Sequence, residues 1–254
     1  MSAAASPAYE RIASAKPGAL IFLCDHASNA VPPHYGTLGL PEAEFKRHIA
    51  SDIGAGPLTR ALAENFAAPA LLGVWSRLLI DLNRGPDDPT LVMKISDGAL
   101  IPGNATADTA EVAHRIATYH APYHAAIKAE VEVSLAAGFA PALVSTHSFT
   151  PVWRDVTRPW QIGILWDRDD RLARPLIAAF EAAGLVTGDN EPYDGALEGD
   201  TLWTHATMRG LPNVLIEVRQ DLIADAAGVA KMTPIVDTAL RTALATLSNP
   251  HGRP

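Results

Sequence analysis

The sequence predicts an α/β protein, a three-layer α/β/α sandwich with a mixed, largely parallel central sheet. Short apolar runs recur without the polar alternation of half-exposed strands, a pattern typical of strands covered on both faces. Helical segments lie between these runs, and alternating strands and helices favour a sheet with helices on both sides. The strand candidates span residues 19–24, 70–75, 77–82, 142–146, 161–166 and 213–218.

The helical segments have recognisable breaks and ends. Residues 41–66 are expected to form two helices interrupted near residues 54–57, which contain Gly and Pro. Residues 107–137 form a long segment in which Pro122 predicts a kink or a break. A third helix spans residues 171–183 and ends at Gly184. A fourth spans residues 222–247, whereas residues 85–104 and 187–200 are expected to be long loops.

Composition limits the classes of protein to which the chain can belong. The 254 residues are 48% hydrophobic and 19% charged, enough for a substantial core, yet no apolar run approaches the ~20 residues of a membrane span. A net charge of −8 without a Lys/Arg cluster argues against a nucleic-acid partner. The single cysteine, Cys24, excludes an internal disulfide and favours the cytoplasm. Residues 1–17 lack a secretory signal pattern and are expected to be a loose arm.

Polar side chains stand at the ends of several strand candidates. Because the ends of parallel strands meet at one edge of a sheet, these side chains predict a cleft there. The residues are Asp25, His26, Asp81, Asn83, Arg84, His147, Glu217, Arg219 and Asp221.

Metal-assisted hydrolysis fits this set of residues. A catalytic zinc takes three protein ligands and keeps a fourth position for water. His26 and His147 are the best nitrogen ligands, and Asp52 is the preferred carboxylate. Asp25 and Asn29 remain alternatives for the third position: Asp25 neighbours His26 on an extended chain and points the opposite way, and an amide is a poor zinc ligand.

Glu217 is the candidate general base, since its apolar strand neighbours should raise its pKa towards neutrality. The alternative is an ion pair between Glu217 and Arg219 or Arg84. Arg77, Arg84 and Arg219 are candidate readers of a substrate carboxylate, because guanidinium groups bind carboxylates at two points. For each arginine, a structural ion pair is the competing interpretation.

Other polar motifs carry weaker predictions. His120 and His124 are four residues apart, but Pro122 lies between them and the pattern favours packing or support of neighbouring residues. His48 is expected to hold Asp52 or line the cleft. The segment "GDNEPYDG" is expected to be a loop, either a plain turn or a cover that brings Tyr193 or Glu191 to the substrate.

Six motifs together resemble one known family. "LCDHASNAVP", "HIASDIGA", "SRLLIDLNR", "STHSF", "NEPYDG" and "IEVRQDLI" occur in the order seen in N-formylglutamate amidohydrolases, across residues 19–223. The resemblance implies a zinc-dependent, exopeptidase-like fold and a single amidohydrolase domain over residues 1–254, with residues 1–17 as the loose arm.

The resemblance also implies roles for individual residues. His26 and His147 match two zinc ligands, Asn83 and Arg84 match a substrate-binding Asn-Arg pair, and Glu217 matches the base. Asn29 stands where distant relatives carry the Glu of an H-x-x-E motif, which places Asn29 beside the substrate and strengthens Asp52 as the acidic ligand. One Zn²⁺ is expected, and other divalent metals remain possible.

The expected function is hydrolysis of a small N-acyl amino acid, with N-formyl-L-glutamate as the leading substrate and no nucleic-acid or membrane partner. The motif "DHASN" stands where histidine-degrading members tend to have "PHSG", which points to a side branch with another N-acyl substrate. Two alternatives are a zinc amidase acting on a peptidoglycan-type amide and a non-catalytic binder of an acidic metabolite.

Overall fold

The computed structural model describes residues 7–15 and 17–247, and a seven-stranded sheet lies at the centre of this part of the chain. Its strands lie in the order β1-β3-β2-β6-β11-β9-β10, while β4–β5 and β7–β8 form two small hairpins. The strands are β1 (Tyr9–Ile12), β2 (Leu20–Cys24), β3 (Ala70–Gly73), β4 (Ile95–Ser96), β5 (Ala99–Leu100), β6 (Ala142–Phe149), β7 (Val152–Trp153), β8 (Val156–Thr157), β9 (Ile162–Leu165), β10 (Thr187–Asp189) and β11 (Asn213–Arg219).

The pairing within the sheet confirms the mixed, largely parallel architecture. Strands β3, β2, β6 and β11 are parallel to one another, and β10 is parallel to β9. The two antiparallel pairs are β1 with β3 and β9 with β11. The carboxyl ends of β2, β6 and β11 therefore meet at one edge of the sheet.

Seven α-helices surround the sheet in the described residues, and none is both long and apolar enough to cross a membrane. A π-helical turn at Ile116–His120 joins two of them immediately before Pro122, where the sequence predicts a kink or break. The helices are α1 (Ala55–Phe66), α2 (Pro102–Ala105), α3 (Thr109–Arg115), α4 (Ala121–Ala136), α5 (Ala173–Ala182), α6 (Thr201–His205) and α7 (Ala226–Leu247).

Alternation along the strands separates the two faces of the sheet. Phe22 and Cys24 pack with α1, α5 and α7 on one face, whereas Ile21 and Leu23 pack with α4 and α6 on the other. Both cores exclude water, and the sheet lies between two helical layers as predicted.

The strand predicted at residues 77–82 is wrong, because this segment forms turns instead. Its apolar residues are buried in a third cluster beneath the loops, so the run is apolar without belonging to the sheet. Side chains take the place of a neighbouring strand: Asn104 Nδ2 donates to Leu78 O at 2.7 Å, and Arg115 Nη1 donates to Leu79 O at 2.8 Å. Buried carbonyls need such partners wherever no strand lies alongside.

Other boundaries also differ from expectation. Tyr9–Ile12, within the expected loose arm, form edge strand β1 against β3, while residues 1–6 and residue 16 lie outside the described residues. The expected loop at residues 187–200 begins with strand β10. The break predicted near residues 54–57 is the start of α1 at Ala55, where Gly54 has φ +81°; residues Glu42–Lys46 before it form a 3-10 helix.

Candidate active site

Three strands deliver the central side chains of the site. His26 lies just beyond the carboxyl end of β2, His147 lies near the end of β6, and Glu217 lies in β11. Glu217 and His147 are direct neighbours in the register of the parallel β6–β11 pair. Residues that are far apart in the sequence therefore meet at one edge, as the strand-end pattern predicts.

Asp52 completes a cluster with the two histidines. Its Oδ2 atom lies 3.3 Å from Nδ1 of His26 and 2.7 Å from Nδ1 of His147. All three side chains are buried, and one candidate ligand atom from each lies within 4.8 Å of the others. The backbone amide of Asp52 donates to His26 O at 3.0 Å, which holds the loop carrying Asp52 against the end of β2.

Each histidine is anchored through the ring nitrogen that faces away from Asp52. Nε2 of His26 lies 2.7 Å from Oδ1 of Asp81, and Nε2 of His147 lies 3.1 Å from Oδ2 of Asp25. This arrangement orients both Nδ1 atoms towards one point, as carboxylate–histidine pairs do around bound metals. Asp25 therefore supports His147 here, and Asp81, one of the polar residues predicted at the cleft edge, supports His26.

The buried charges stabilise one another. Burial alone would raise the pKa of Asp81, but Arg77 and His26 hold that pKa well below its usual range. Burial likewise opposes the ionisation of Asp52, yet His26 and His147 lower the pKa of Asp52. Burial also opposes protonation of His147, but its hydrogen bonds to carboxylates raise the pKa of His147 well above the usual value. The cluster holds its carboxylates ionised, as metal ligands must be.

Glu217 differs from these acids because it has no hydrogen-bonding partner for one oxygen. The side chain is buried, and Oε2 is an unpaired acceptor in the described part of the protein. Burial raises the pKa of Glu217 to about 7; Asp52 adds to this increase, while His147 opposes it. Arg219, an alternative partner, binds Asp221 instead, with Nε 2.8 Å from Oδ1. Glu217 thus has the environment of a proton acceptor that works near neutral pH.

Asn83 and Arg84 both line the cleft beside this cluster. Asn83 Oδ1 accepts the amide hydrogen of Thr201 at 3.0 Å, so the orientation of the Asn83 amide group is fixed. Arg84 Nη1 donates to Asn83 O at 2.7 Å, and Arg84 Nε lies 3.9 Å from Oδ2 of Asp88. Arg84 is therefore a partly exposed cation at the cleft wall.

The other proposed substrate contacts lie in different surroundings. Arg77 lines the cleft, but its guanidinium group pairs with Asp81 at 2.8 Å and with Asp52 at 3.4 Å, as the structural interpretation predicts. Asn29 is exposed and donates to Phe45 O at 2.7 Å, away from the cleft wall. Arg219 is likewise absent from the cleft wall formed by the described residues.

Three stacked histidines support the Asn83 segment. His124 Nε2 donates to Leu82 O at 2.9 Å, and His120 Nε2 donates to Arg84 O at 2.8 Å. His124 Nδ1 lies 2.9 Å from His205 Nε2. Burial lowers the pKa of His124 to about 3, which keeps its ring neutral and able to accept this hydrogen bond. These histidines hold backbone carbonyls on both sides of Asn83, consistent with the supporting role predicted for His120 and His124.

A cleft of about 270 Å³ opens beside the cluster. Its wall includes three of the five tryptophans in the sequence, Trp153, Trp166 and Trp203, together with Tyr193 from the loop after β10. Gly163 allows that loop to approach the sheet, since a Cβ atom at this position would lie 2.1 Å from Glu191 O. Tyr193, Asp194 and Gly195 of this loop line the cleft, whereas Glu191 does not, so of the two residues named for "GDNEPYDG" only Tyr193 lies at the cleft wall.

The fold and the site together define an α/β protein with a buried His–Asp–His cluster capable of holding a metal ion, next to an unpaired carboxylate oxygen. The family profile for N-formylglutamate amidohydrolase matches residues 18–224. The chain belongs to this family, and family membership makes it an amidohydrolase.

Solved structures extend the comparison. The gene product Atu2144 from Agrobacterium tumefaciens is 36% identical, with a TM-score of 0.92, covering 96% of this chain and 97% of that one. The N-formylglutamate amidohydrolase from Ralstonia eutropha JMP134 is 19% identical, with a TM-score of 0.74 and coverage of 94% and 98%. A bacteriophage poly-gamma-glutamate hydrolase shares the fold at 11% identity, with a TM-score of 0.51 and coverage of 96% and 91%. Curated protein sequences give no match.

Proposed function

We propose that this chain is a zinc-dependent amidohydrolase that cleaves the amide bond of a small N-acyl amino acid in the cytoplasm. N-formyl-L-glutamate, which would yield formate and L-glutamate, is the first substrate to test because the chain belongs to the family named for that reaction. The observation that carries the proposal is the convergence of His26, Asp52 and His147 beside the unpaired Oε2 atom of Glu217.

The residues present fit a zinc ion. Two imidazole nitrogens and one carboxylate oxygen are a ligand set that catalytic zinc sites use, and three protein ligands leave one position open. One candidate ligand atom from each of the three residues lies within 4.8 Å of the others, and all three side chains are buried. Bound zinc would lower the pKa of a water ligand towards ~7 and polarise the acyl carbonyl.

The protein's own groups then supply proton transfer. Glu217 accepts a proton as water attacks the acyl carbon, and it returns that proton to the amine nitrogen as the carbon–nitrogen bond breaks. Water and one amide are consumed, and one carboxylic acid and one amine are formed; the acid then gives its proton to the amine, which leaves a carboxylate and an ammonium group. The raised pKa of Glu217, about 7, suits both halves of this transfer.

Asn83 and Arg84 would position the substrate during this reaction. The Arg84 guanidinium matches the planar geometry of an α-carboxylate, and the Asn83 amide, fixed by Thr201, offers a further polar contact. Holding the carboxylate at two points would bring the acyl carbon into one orientation against the metal cluster.

The proposal is tested by metal analysis and an activity assay on the purified protein. We expect about one zinc per chain and formate release from N-formyl-L-glutamate that a chelator abolishes and added zinc restores. Zinc-free protein that hydrolyses the substrate at an undiminished rate would overturn the metal role. Metal-loaded protein that hydrolyses neither N-formyl amino acids nor peptidoglycan stem amides would favour the non-catalytic alternative.

A further inference from the structure

The cleft continues beyond the metal cluster along the face of β11. Glu217, Leu215 and Asn213 alternate along this strand and share one face, and all three line the cleft. Leu215 pairs in register with Leu165 of β9, which lines the same space. The opening beside Glu217 therefore continues along β11, over a surface formed by Leu215 and Leu165.

Helix α6 covers this extension. Leu202 and Trp203 of α6 line this part of the cleft. Thr207, just beyond α6, also lines it, and its Oγ1 atom lies 3.4 Å from Oδ1 of Asn213. We call this space the apolar channel, defined by the residues Leu165, Leu202, Trp203, Thr207, Asn213 and Leu215.

The apolar channel starts next to the residues that would hold the substrate carboxylate. The first residue of α6, Thr201, donates its amide hydrogen to Asn83 Oδ1 at 3.0 Å, so α6 and the Asn83–Arg84 pair are joined. In an N-acyl amino acid, Cα carries the carboxylate, the acylated nitrogen and the side chain. With the α-carboxylate at Arg84 and the acyl group at the metal cluster, the side chain is the substituent left to enter the channel under α6.

The charges at the cleft wall favour a substrate with one carboxylate. Arg77 is neutralised by two buried acids, so Arg84 is the cation left for an anionic ligand among the described cleft residues. Acidic groups also line the cleft, including Asp167 and Asp194. The apolar channel itself contains no basic side chain. A second carboxylate there would lose its hydration without gaining a counter-ion.

We propose that the apolar channel binds an apolar amino-acid side chain, and that the enzyme hydrolyses N-formyl amino acids such as N-formyl-L-leucine as a substrate class beyond N-formyl-L-glutamate. This inference rests on the proposed function, because it assigns a substrate to the same site. The leucine side chain leaves water and contacts Leu165, Leu202 and Leu215, whereas N-formylglycine has no side chain to place there.

The test compares kcat/KM of the zinc-loaded protein for the N-formyl derivatives of glycine, leucine, lysine and glutamate. Since each methylene group in an apolar pocket contributes roughly a tenfold or greater preference, we expect kcat/KM for the leucine derivative to exceed that for the glycine derivative at least about tenfold. A smaller ratio, or a higher value for lysine than for leucine, overturns the channel assignment. If glutamate is hydrolysed without a leucine preference over glycine, only this inference fails. If none of the four is hydrolysed, the proposed function fails with it.

A variant pair locates the preference. Leu202→Trp should fill the apolar channel and lower the leucine-to-glycine ratio of kcat/KM at least about tenfold. Val133→Trp, on the exposed side of α4, is the matched control and should keep the wild-type ratio. An unchanged ratio in a folded Leu202→Trp protein overturns the assignment of the channel. If Leu202→Trp does not fold, the substrate comparison on the wild-type protein still decides the proposal.

Discussion

Nε2 of His26 lies 2.7 Å from Oδ1 of Asp81, and this contact turns Nδ1 of the same ring towards Asp52. Asp81 is itself held in place, because Arg77 Nη2 donates to its Oδ2 at 2.8 Å and the backbone amide of Asn83 donates to its Oδ1 at 2.9 Å. The orientation of a candidate metal ligand thus depends on a carboxylate that does not belong to the cluster.

Replacing this carboxylate should weaken metal binding without removing a ligand. For Asp81→Asn we expect a loss of zinc affinity of about 10- to 100-fold, since carboxylates behind metal-binding histidines have effects of that size. Competition with a chromophoric chelator measures the affinity. Asp88→Asn, in the neighbouring loop, serves as the control, and an Asp81→Asn protein with wild-type affinity would show that Asp81 does not orient His26.

Removal of either histidine should abolish metal binding. His26→Ala and His147→Ala each delete one of three ligands, so we expect zinc content and hydrolysis to disappear together. Elemental analysis after gel filtration reports the content. His114→Ala, an exposed histidine on α3, should retain both properties. Full zinc occupancy in His147→Ala would exclude the cluster as the metal site.

Glu217→Gln should separate chemistry from metal binding. The amide keeps the shape of the side chain but cannot accept the proton, so kcat should fall by a factor of about 10² to 10⁴ while zinc remains bound. Steady-state kinetics and metal analysis on the same preparation provide the measurement. Glu181→Gln, on an exposed position of α5, is the control. Near-normal kcat in Glu217→Gln would assign the base to another group.

The same residue predicts how stability depends on pH in the metal-free protein. Burial raises the pKa of Glu217 from 4.5 to about 7, so the folded state favours the protonated acid. The contribution of Glu217 to the free energy of unfolding is therefore greatest below pH 4.5, and it is lost as the pH rises to about 7. The difference amounts to about 3 kcal/mol of unfolding free energy.

Urea unfolding in the presence of a chelator, at pH 4.5 and pH 8, tests this expectation. Glu217→Gln should reduce the fall in unfolding free energy between the two pH values by about 3 kcal/mol. His26 and His147 also have raised pKa values, so their contributions to stability are lost in the same direction as the pH rises. An identical fall in wild type and variant would show that Glu217 titrates normally.

Arg84 should control substrate affinity through its charge and shape. Loss of a charge-assisted pair from which the bound substrate has excluded water costs roughly 2–5 kcal/mol, so Arg84→Ala should lower kcat/KM by about 30-fold or more. Arg84→Lys should recover only part of this loss, because an ammonium group cannot make the planar two-point contact. Arg168→Ala, at a largely exposed arginine, is the control. Wild-type kcat/KM in Arg84→Ala would place the carboxylate elsewhere.

Local patterns were sufficient to predict the main architecture and the meeting of His26, His147 and Glu217 at one edge of the sheet. The apolar runs at β2, β6, β9 and β11 have the length and composition of buried strands, and their hydrophobic burial requires helices on both faces. The strand predicted at residues 77–82 is wrong because an apolar run indicates only that its side chains are buried. The run does not show that another strand lies alongside to form hydrogen bonds. Asn104 and Arg115, both distant in sequence, supply the contacts that make its turns possible.

The sequence by itself determined that His26, His147 and Glu217 would stand at one edge of a sheet, because strand direction and side-chain alternation are local properties. Only the tertiary structure decided which acid joins the histidines. Asp25 is adjacent to His26 in the chain, yet it contacts His147 Nε2 and the hydroxyl groups of Tyr123 and Thr201. Asp52 reaches both Nδ1 atoms because its loop packs against the end of β2. Such distances follow from how the layers pack together, which no short sequence pattern encodes.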